Sequence, residues 1–202
     1  MSERAIVGGL AAIGMAVLTA GFISVQSAQP ARAEDGPGPN LVLQVEGEAN
    51  GKIVIDLRPD LAPKHVEQIT TLAKRGDYDN VVFHRVIEGF MAQTGDVQYG
   101  KAGGDLSSAG MGGSDLPDIP AEFSSEPFAR GVVGMARSSD PNSANSQFFI
   151  MFAPGDFLNG QYTVVGSVVE GMDVVDQIKK GDQANNGSVT GTPDRIVKAT
   201  VE

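Results

Sequence analysis

A chain of 202 residues, 41% hydrophobic and 20% charged, is long enough for one domain with a real core plus a short appendage. Its net charge of −10 argues against nucleic acid as the main partner, and the lack of cysteine excludes disulfides, thiolate metal sites and Cys-based catalysis. Only two histidines, His65 and His84, are available, too few for a His-rich metal site unless carboxylates fill in.

Residues 1–33 read as a targeting segment. Arg4 gives a basic start, Ala5 to Val25 carries no charge, and Ala31-Arg32-Ala33 is a small-x-small site before Glu34. The expectation is a secretory signal peptide cut after Ala33, which in a bacterium delivers the protein to the periplasm. The alternative is an uncut anchor that holds the domain on the inner membrane facing the periplasm; the run is rich in Ala and Gly rather than Leu, which weakens that reading. Residues 34–40 (EDGPGPN) form a polar tether, and 41–202 the folded domain.

In chain order, 41–46 and 53–57 alternate like strands, joined by a turn containing Asn50-Gly51. Pro63 then opens a helix with Val66, Ile69, Leu72 and Ala73 on one face and Gly76 as its stop. Short apolar runs at 81–87, 131–135, 147–152 and 163–169 predict further strands. A second helix carries Met172, Val175 and Ile178 on one face, with Lys179-Lys180 in its last turn and Gly181 beyond. Residues 196–201 predict a final strand, and 95–130 is mostly loop. Many short strands, two isolated helices and no regular βαβ alternation suggest a mainly β antiparallel barrel or sandwich with helices over its openings.

Nucleotide-loop, zincin and serine-hydrolase motifs are absent. His84, a single His between Phe83 and Arg85, reads as structural, since catalysis also needs an oriented partner. Three segments remain. Residues 83–96 (FHRVIEGFMAQTGD) bring one arginine, one glutamine and large apolar side chains around a strand–turn–strand. Residues 135–150 contain Met135-Ala136-Arg137 and then Ser146-Gln147-Phe148-Phe149-Ile150, where alternation puts Gln147 and Phe149 on one face and Phe148 and Ile150 on the other. Residues 157–162 (FLNGQY) carry apolar side chains across a glycine turn. Each aromatic taken singly would be plain core packing.

Together these segments resemble the cyclophilin-type peptidyl-prolyl cis-trans isomerases, from about Leu41 to Val201. The pattern F-H-R-V-I-x-x-F-M-x-Q-x-G-D stands complete at 83–96, S-Q-F-F-I at 146–150 and L-[DN]-G at 158–160. The resemblance implies a closed eight-stranded antiparallel barrel capped by two α-helices, with a substrate groove on an outer face. It implies rotation about X-Pro peptide bonds, assisting the folding of exported proteins, without metal, cofactor or covalent intermediate. By motif, Arg85 is the catalytic residue, and Phe90, Met91, Phe149 and Leu158 receive the proline ring. Gln93, Ala136, Arg137 and Gln147 line the groove, and Phe157 and Tyr162 complete the substrate-binding residues that the resemblance implies. Phe157 stands where many members have Trp, which removes an indole N–H and counts against strong cyclosporin binding. Tyr162 replaces a common His, and Arg137 an Asn that acts through its backbone. The implied partners are proline-containing peptides and unfolded chains, with no nucleic acid, and a membrane only if the first segment stays uncut; nothing calls for an oligomer, so a monomer is expected. Two rivals are a proline-peptide binding module without turnover and a hydrolase with two carboxylates facing one cleft.

Overall fold

The computed structural model describes Met1 and residues 35–202; apart from Met1, the expected targeting segment 1–33 and the predicted cut after Ala33 lie outside the described residues. In chain order the elements are β1 (Asn40–Glu46), β2 (Gly51–Leu57), α1 (Pro63–Arg75), β3 (Val81–Val82), β4 (Arg85–Ile87), β5 (Met91–Thr94), β6 (Val132–Met135), β7 (Phe148–Met151), β8 (Val164–Glu170), α2 (Met172–Gln177) and β9 (Arg195–Val201). All strands join one antiparallel sheet, ordered β3-β9-β1-β2-β8-β6-β7-β5-β4. The two ends of that order, β3 and β4, are consecutive pieces of one stretch of chain. The sheet therefore curls until its edges meet through the backbone itself.

Among the described residues the mainly β, two-helix architecture is the expected one, with nine strands rather than eight, and the ends are joined by the chain rather than by a ladder. The run 81–87 breaks at Phe83–His84 because its backbone pairs elsewhere: Phe83 N–H donates to the Asp194 carbonyl and the His84 carbonyl accepts from Val189 N–H. Such partners lie over a hundred residues downstream and leave no mark in the local pattern.

Period-two alternation divides the sheet into two apolar faces. One gathers Leu43, Ile53, Ile55, Val86, Phe148 and Ile150 with Val66, Ile69 and Leu72 of α1 and Val175 of α2. Side chains such as Ile53, Ile55 and Leu72, fully removed from water, contribute about 1.5–3 kcal/mol each. The other face gathers Met91, Phe149, Met151 and Leu158. This second cluster underlies the site described below.

Helix α1 follows its sequence signals: Pro63 opens it, and Gly76 closes it in the left-handed region at φ 77°. Ala62 offers no side-chain cap. Glu122 supplies one from the loop instead, accepting from Lys64 N–H at 3.1 Å and His65 N–H at 3.1 Å. Helix α2 is shorter than predicted. It ends at Gln177, and Ile178 turns extended because Lys179 N–H is drawn to Asp194 Oδ2 at 2.6 Å. Lys179-Lys180-Gly181 thus lie outside the helix, although Lys180 Nζ still donates to the Asp176 and Ile178 carbonyls. Among the described residues no helix is long and apolar enough to cross a membrane.

The Glu122 cap has a pH consequence. His65 is fully buried, with Nδ1 2.6 Å from Glu122 Oε2, and burial pulls its pKa below the ordinary value against the opposing pull of Glu122; Lys64 adds to the lowering. His84 is also buried and lowered for the same first reason, with Asp96 opposing and Arg85 adding to it. A histidine with a lowered native pKa is stabilising above its unfolded value near 6.5, and that stability drains as pH falls from there toward the native pKa. Glu122, held low by His65 and the two backbone donors despite burial, adds a loss of the same sign below its ordinary carboxylate range. Stability, and with it the melting temperature, should therefore fall on acidification from pH 7 to 5, at no more than about 1.4 kcal/mol per pH unit per histidine. Calorimetry on wild type and His65→Gln checks this, the variant showing the flatter slope.

Candidate active site

The site begins as a row of cross-strand neighbours. Arg85 on β4 faces Gln93 on β5, Gln93 faces Phe149 on β7, and Phe149 faces Gly134 on β6. Directly opposed residues share a face, so these side chains stand together on the outer surface. Gly134 has to be glycine here. A Cβ would come within 2.6 Å of both the Phe149 and Phe128 rings, which stack at 5.8 Å in the space it leaves.

Arg85, Phe90, Met91, Gln93, Ala136, Arg137, Phe149, Phe157, Leu158 and Tyr162 line one cavity of about 280 Å³. Met91, Phe149 and Leu158 are its buried floor. Phe90 and the 65% exposed Phe157 meet at 5.4 Å, and Phe149 meets Tyr162 edge-on at 5.9 Å. The Arg137 guanidinium covers the Tyr162 ring at 4.3 Å and donates to the Ser138 and Gln161 carbonyls. The side chain at 137 thus braces the aromatic wall, a role that an Asn could not fill.

Gln147 is the one predicted residue outside this cavity. It lines a neighbouring space of about 330 Å³ with Gly110, Met111, Ser138 and Asn145, across a ridge formed by Gln93, Ala136 and Arg137. Gln147 is nevertheless wired to Arg85. Arg85 Nη1 donates to Gln93 Oε1 at 3.1 Å, Gln93 Nε2 to Gln147 Oε1 at 2.9 Å, and Gln147 Nε2 to the Gly110 and Gly112 carbonyls at 3.0 and 2.8 Å. The Gly110 and Gly112 N–H groups donate in turn to Asp96 Oδ2 at 2.7 and 3.0 Å. The Gln93 and Gln147 amides stand head to tail and polarise one another, and the Gly110 and Gly112 backbone joins this pair to Asp96.

Burial pulls the Arg85 guanidinium below its ordinary pKa, which for arginine still leaves it charged. No residue lining either cavity is Asp or Glu, so the two-carboxylate hydrolase has no support here. Two contributors escape sequence reading. Asp96 stands in the motif yet shows its loop-holding contacts only in three dimensions. Asn186 receives Arg85 Nε on its carbonyl and Nη2 on its side chain, both at 3.0 Å; its only sequence signal is the Asn186-Gly187 turn dipeptide.

A curled antiparallel sheet bearing an arginine-edged apolar cavity on its outer face is the architecture of a cyclophilin. A family profile described as "Cyclophilin type peptidyl-prolyl cis-trans isomerase/CLD" matches residues 42–201, and the chain belongs to that family of isomerases. A "Probable peptidyl-prolyl cis-trans isomerase" of Brucella suis biovar 1 (strain 1330) is 58% identical over 194 residues, 94% of this chain and 96% of that protein. "Peptidyl-prolyl cis-trans isomerase-like 1" of Gibberella zeae is 35% identical, over 80% of this chain and 94% of its own. Among solved structures, the cyclophilin AquaCyp293 from Hirschia baltica matches with a TM-score of 0.65 at 27% identity, covering 80% of this chain and 73% of that one. A Cryptosporidium parvum cyclophilin type peptidyl-prolyl cis-trans isomerase, solved in the presence of the dipeptide Ala-Pro, matches in fold with a TM-score of 0.67 at 23% identity, covering 81% and 98%.

Proposed function

We propose that this isomerase turns the X-Pro bond by donating from Arg85 to the prolyl nitrogen while Phe90, Met91, Phe149 and Leu158 hold the ring. The planar amide resists rotation by about 20 kcal/mol because nitrogen shares its lone pair with the carbonyl. At the twisted midpoint the nitrogen turns pyramidal and recovers that pair. A guanidinium hydrogen bond is then stronger than in the planar ground state, which is the condition for acceleration. A rate gain of about 10⁵ needs roughly 7 kcal/mol, shared among this bond, desolvation and positioning. The observation that carries the reading is the Arg85 guanidinium, fixed by Gln93, at the edge of a cavity with an apolar floor.

Gln93, Ala136, Arg137 and Gln147 hold the peptide flanking the proline, and Phe157 and Tyr162 close the far wall. The substrates on this reading are proline-containing segments of unfolded chains. The segment 1–33 directs the protein to the periplasm, where the clients are exported proteins. Exchange spectroscopy on a short X-Pro peptide, with affinity measured in parallel, tests the activity: faster cis/trans exchange is expected. Affinity without acceleration would instead mark a proline-peptide binding module. Mass spectrometry of the exported product reads the cut after Ala33.

A further inference from the structure

We infer that Asn186 is a positioning residue for the Arg85 guanidinium, an inference that rests on the catalytic reading of Arg85. Arginine ends a flexible stem, and a donor that must meet a transient lone pair gains from being held before the substrate arrives. Three contacts do the holding. Gln93 takes Nη1, while Asn186 takes Nε on its backbone carbonyl and Nη2 on Oδ1. The remaining contact is a long one from Nη1 to Met91 Sδ at 3.7 Å. With Nε and one Nη2 hydrogen taken by a single residue, the plane of the guanidinium is fixed. The second Nη2 hydrogen and the weakly held Nη1 hydrogen remain for the substrate.

Asn186 presents both oxygens because the backbone around it is clamped. It sits at φ 54°, in the left-handed region that Asn and Gly tolerate best, after a short turn over Gln183–Asn185. Asp182 closes the turn, accepting Gly187 N–H on its carbonyl and Ala184 N–H on its side chain. The turn is then stitched to β4: Val86 N–H donates to the Gly187 carbonyl, and Gly181 N–H to the Val86 carbonyl. Gly187, at φ 77°, comes so close to Ile87 that a Cβ would lie 2.4 Å from its side chain. The strand that carries Arg85 and the turn that carries Asn186 are one backbone-bonded unit.

The test uses the full chain and five proteins: wild type, Asn186→Gly, Asn186→Asp, Arg85→Ala, and the Asn186→Gly/Arg85→Ala double variant that completes a cycle. Glycine keeps the left-handed backbone and the carbonyl while deleting Oδ1. It should lower peptide exchange turnover about tenfold with peptide affinity and melting temperature unchanged. Aspartate keeps the accepting oxygen and should restore most of the rate. In the Arg85→Ala background Asn186→Gly should cost nothing further, which a merely structural role would not produce. If Arg85→Ala leaves exchange untouched, the catalytic reading of Arg85 fails. If Arg85→Ala is slow but Asn186→Gly turns over like wild type, or loses rate equally with and without Arg85, the positioning role is overturned.

Discussion

Arg85→Ala should lower X-Pro exchange by about 100-fold while leaving peptide affinity within a few-fold and the melting temperature near that of wild type. The size follows from what is lost: a charge-assisted donor aimed at an atom that becomes an acceptor only in the transition state. Ground-state grip comes from the apolar cavity, so binding and turnover should part company. Stability should hold because the guanidinium is half-buried at the surface and its partners, Gln93 and Asn186, keep access to water. Arg85→Lys sharpens the test. Lysine keeps the charge but lacks the fork that engages Gln93 and Asn186 together, so most of the rate should remain lost. Exchange within about threefold of wild type in Arg85→Ala would overturn the assigned role. Double loss of affinity and turnover would mean that the arginine chiefly holds the peptide.

The parts of this molecule written in local chemistry were legible in the sequence. Pro63 and Gly76 mark the ends of α1 because fixed φ at one end and left-handed freedom at the other are properties of single residues. Alternation in 147–150 separates Phe149, on the outer face, from Phe148 and Ile150 in the core. The cavity residues were legible as well, though through motif resemblance; spacing alone could not put Phe157 against Phe90. What stayed hidden depends on backbone groups, which carry no side-chain signature. The break between β3 and β4 follows from carbonyls and N–H groups near 189–194. The early end of α2 follows from one Asp194 oxygen. Asn186 reaches Arg85 from 101 residues away, half of its grip through a carbonyl that every residue type possesses.

Asp96 gives the second large expected effect, on stability as well as turnover. Its carboxylate is fully buried and accepts four backbone N–H groups, Gln98 and Tyr99 on Oδ1 and Gly110 and Gly112 on Oδ2. A long loop without regular structure is thereby tied at both ends to one side chain, and the Gly110–Gly112 end is what Gln147 grips. Asp96→Asn is nearly isosteric yet cannot serve both pairs. Whichever way the amide turns, its NH₂ meets two N–H donors, leaving buried groups unsatisfied and opposed. The expected cost is about 3 kcal/mol, a drop of about 6–12 °C in melting temperature for a domain of this size. Amide exchange should localise the loosening to 97–113, while the α1 and β1–β2 amides stay protected. Turnover should fall too, because Gln147 loses its anchor and Gln93 then holds Arg85 less firmly. The fall should be smaller than for Arg85→Ala, since Asn186 still holds two of the guanidinium's donors. An Asp96→Asn protein that melts and turns over like wild type would break the proposed line of force from the loop to the guanidinium. Lost stability with unchanged turnover would confine Asp96 to holding the loop.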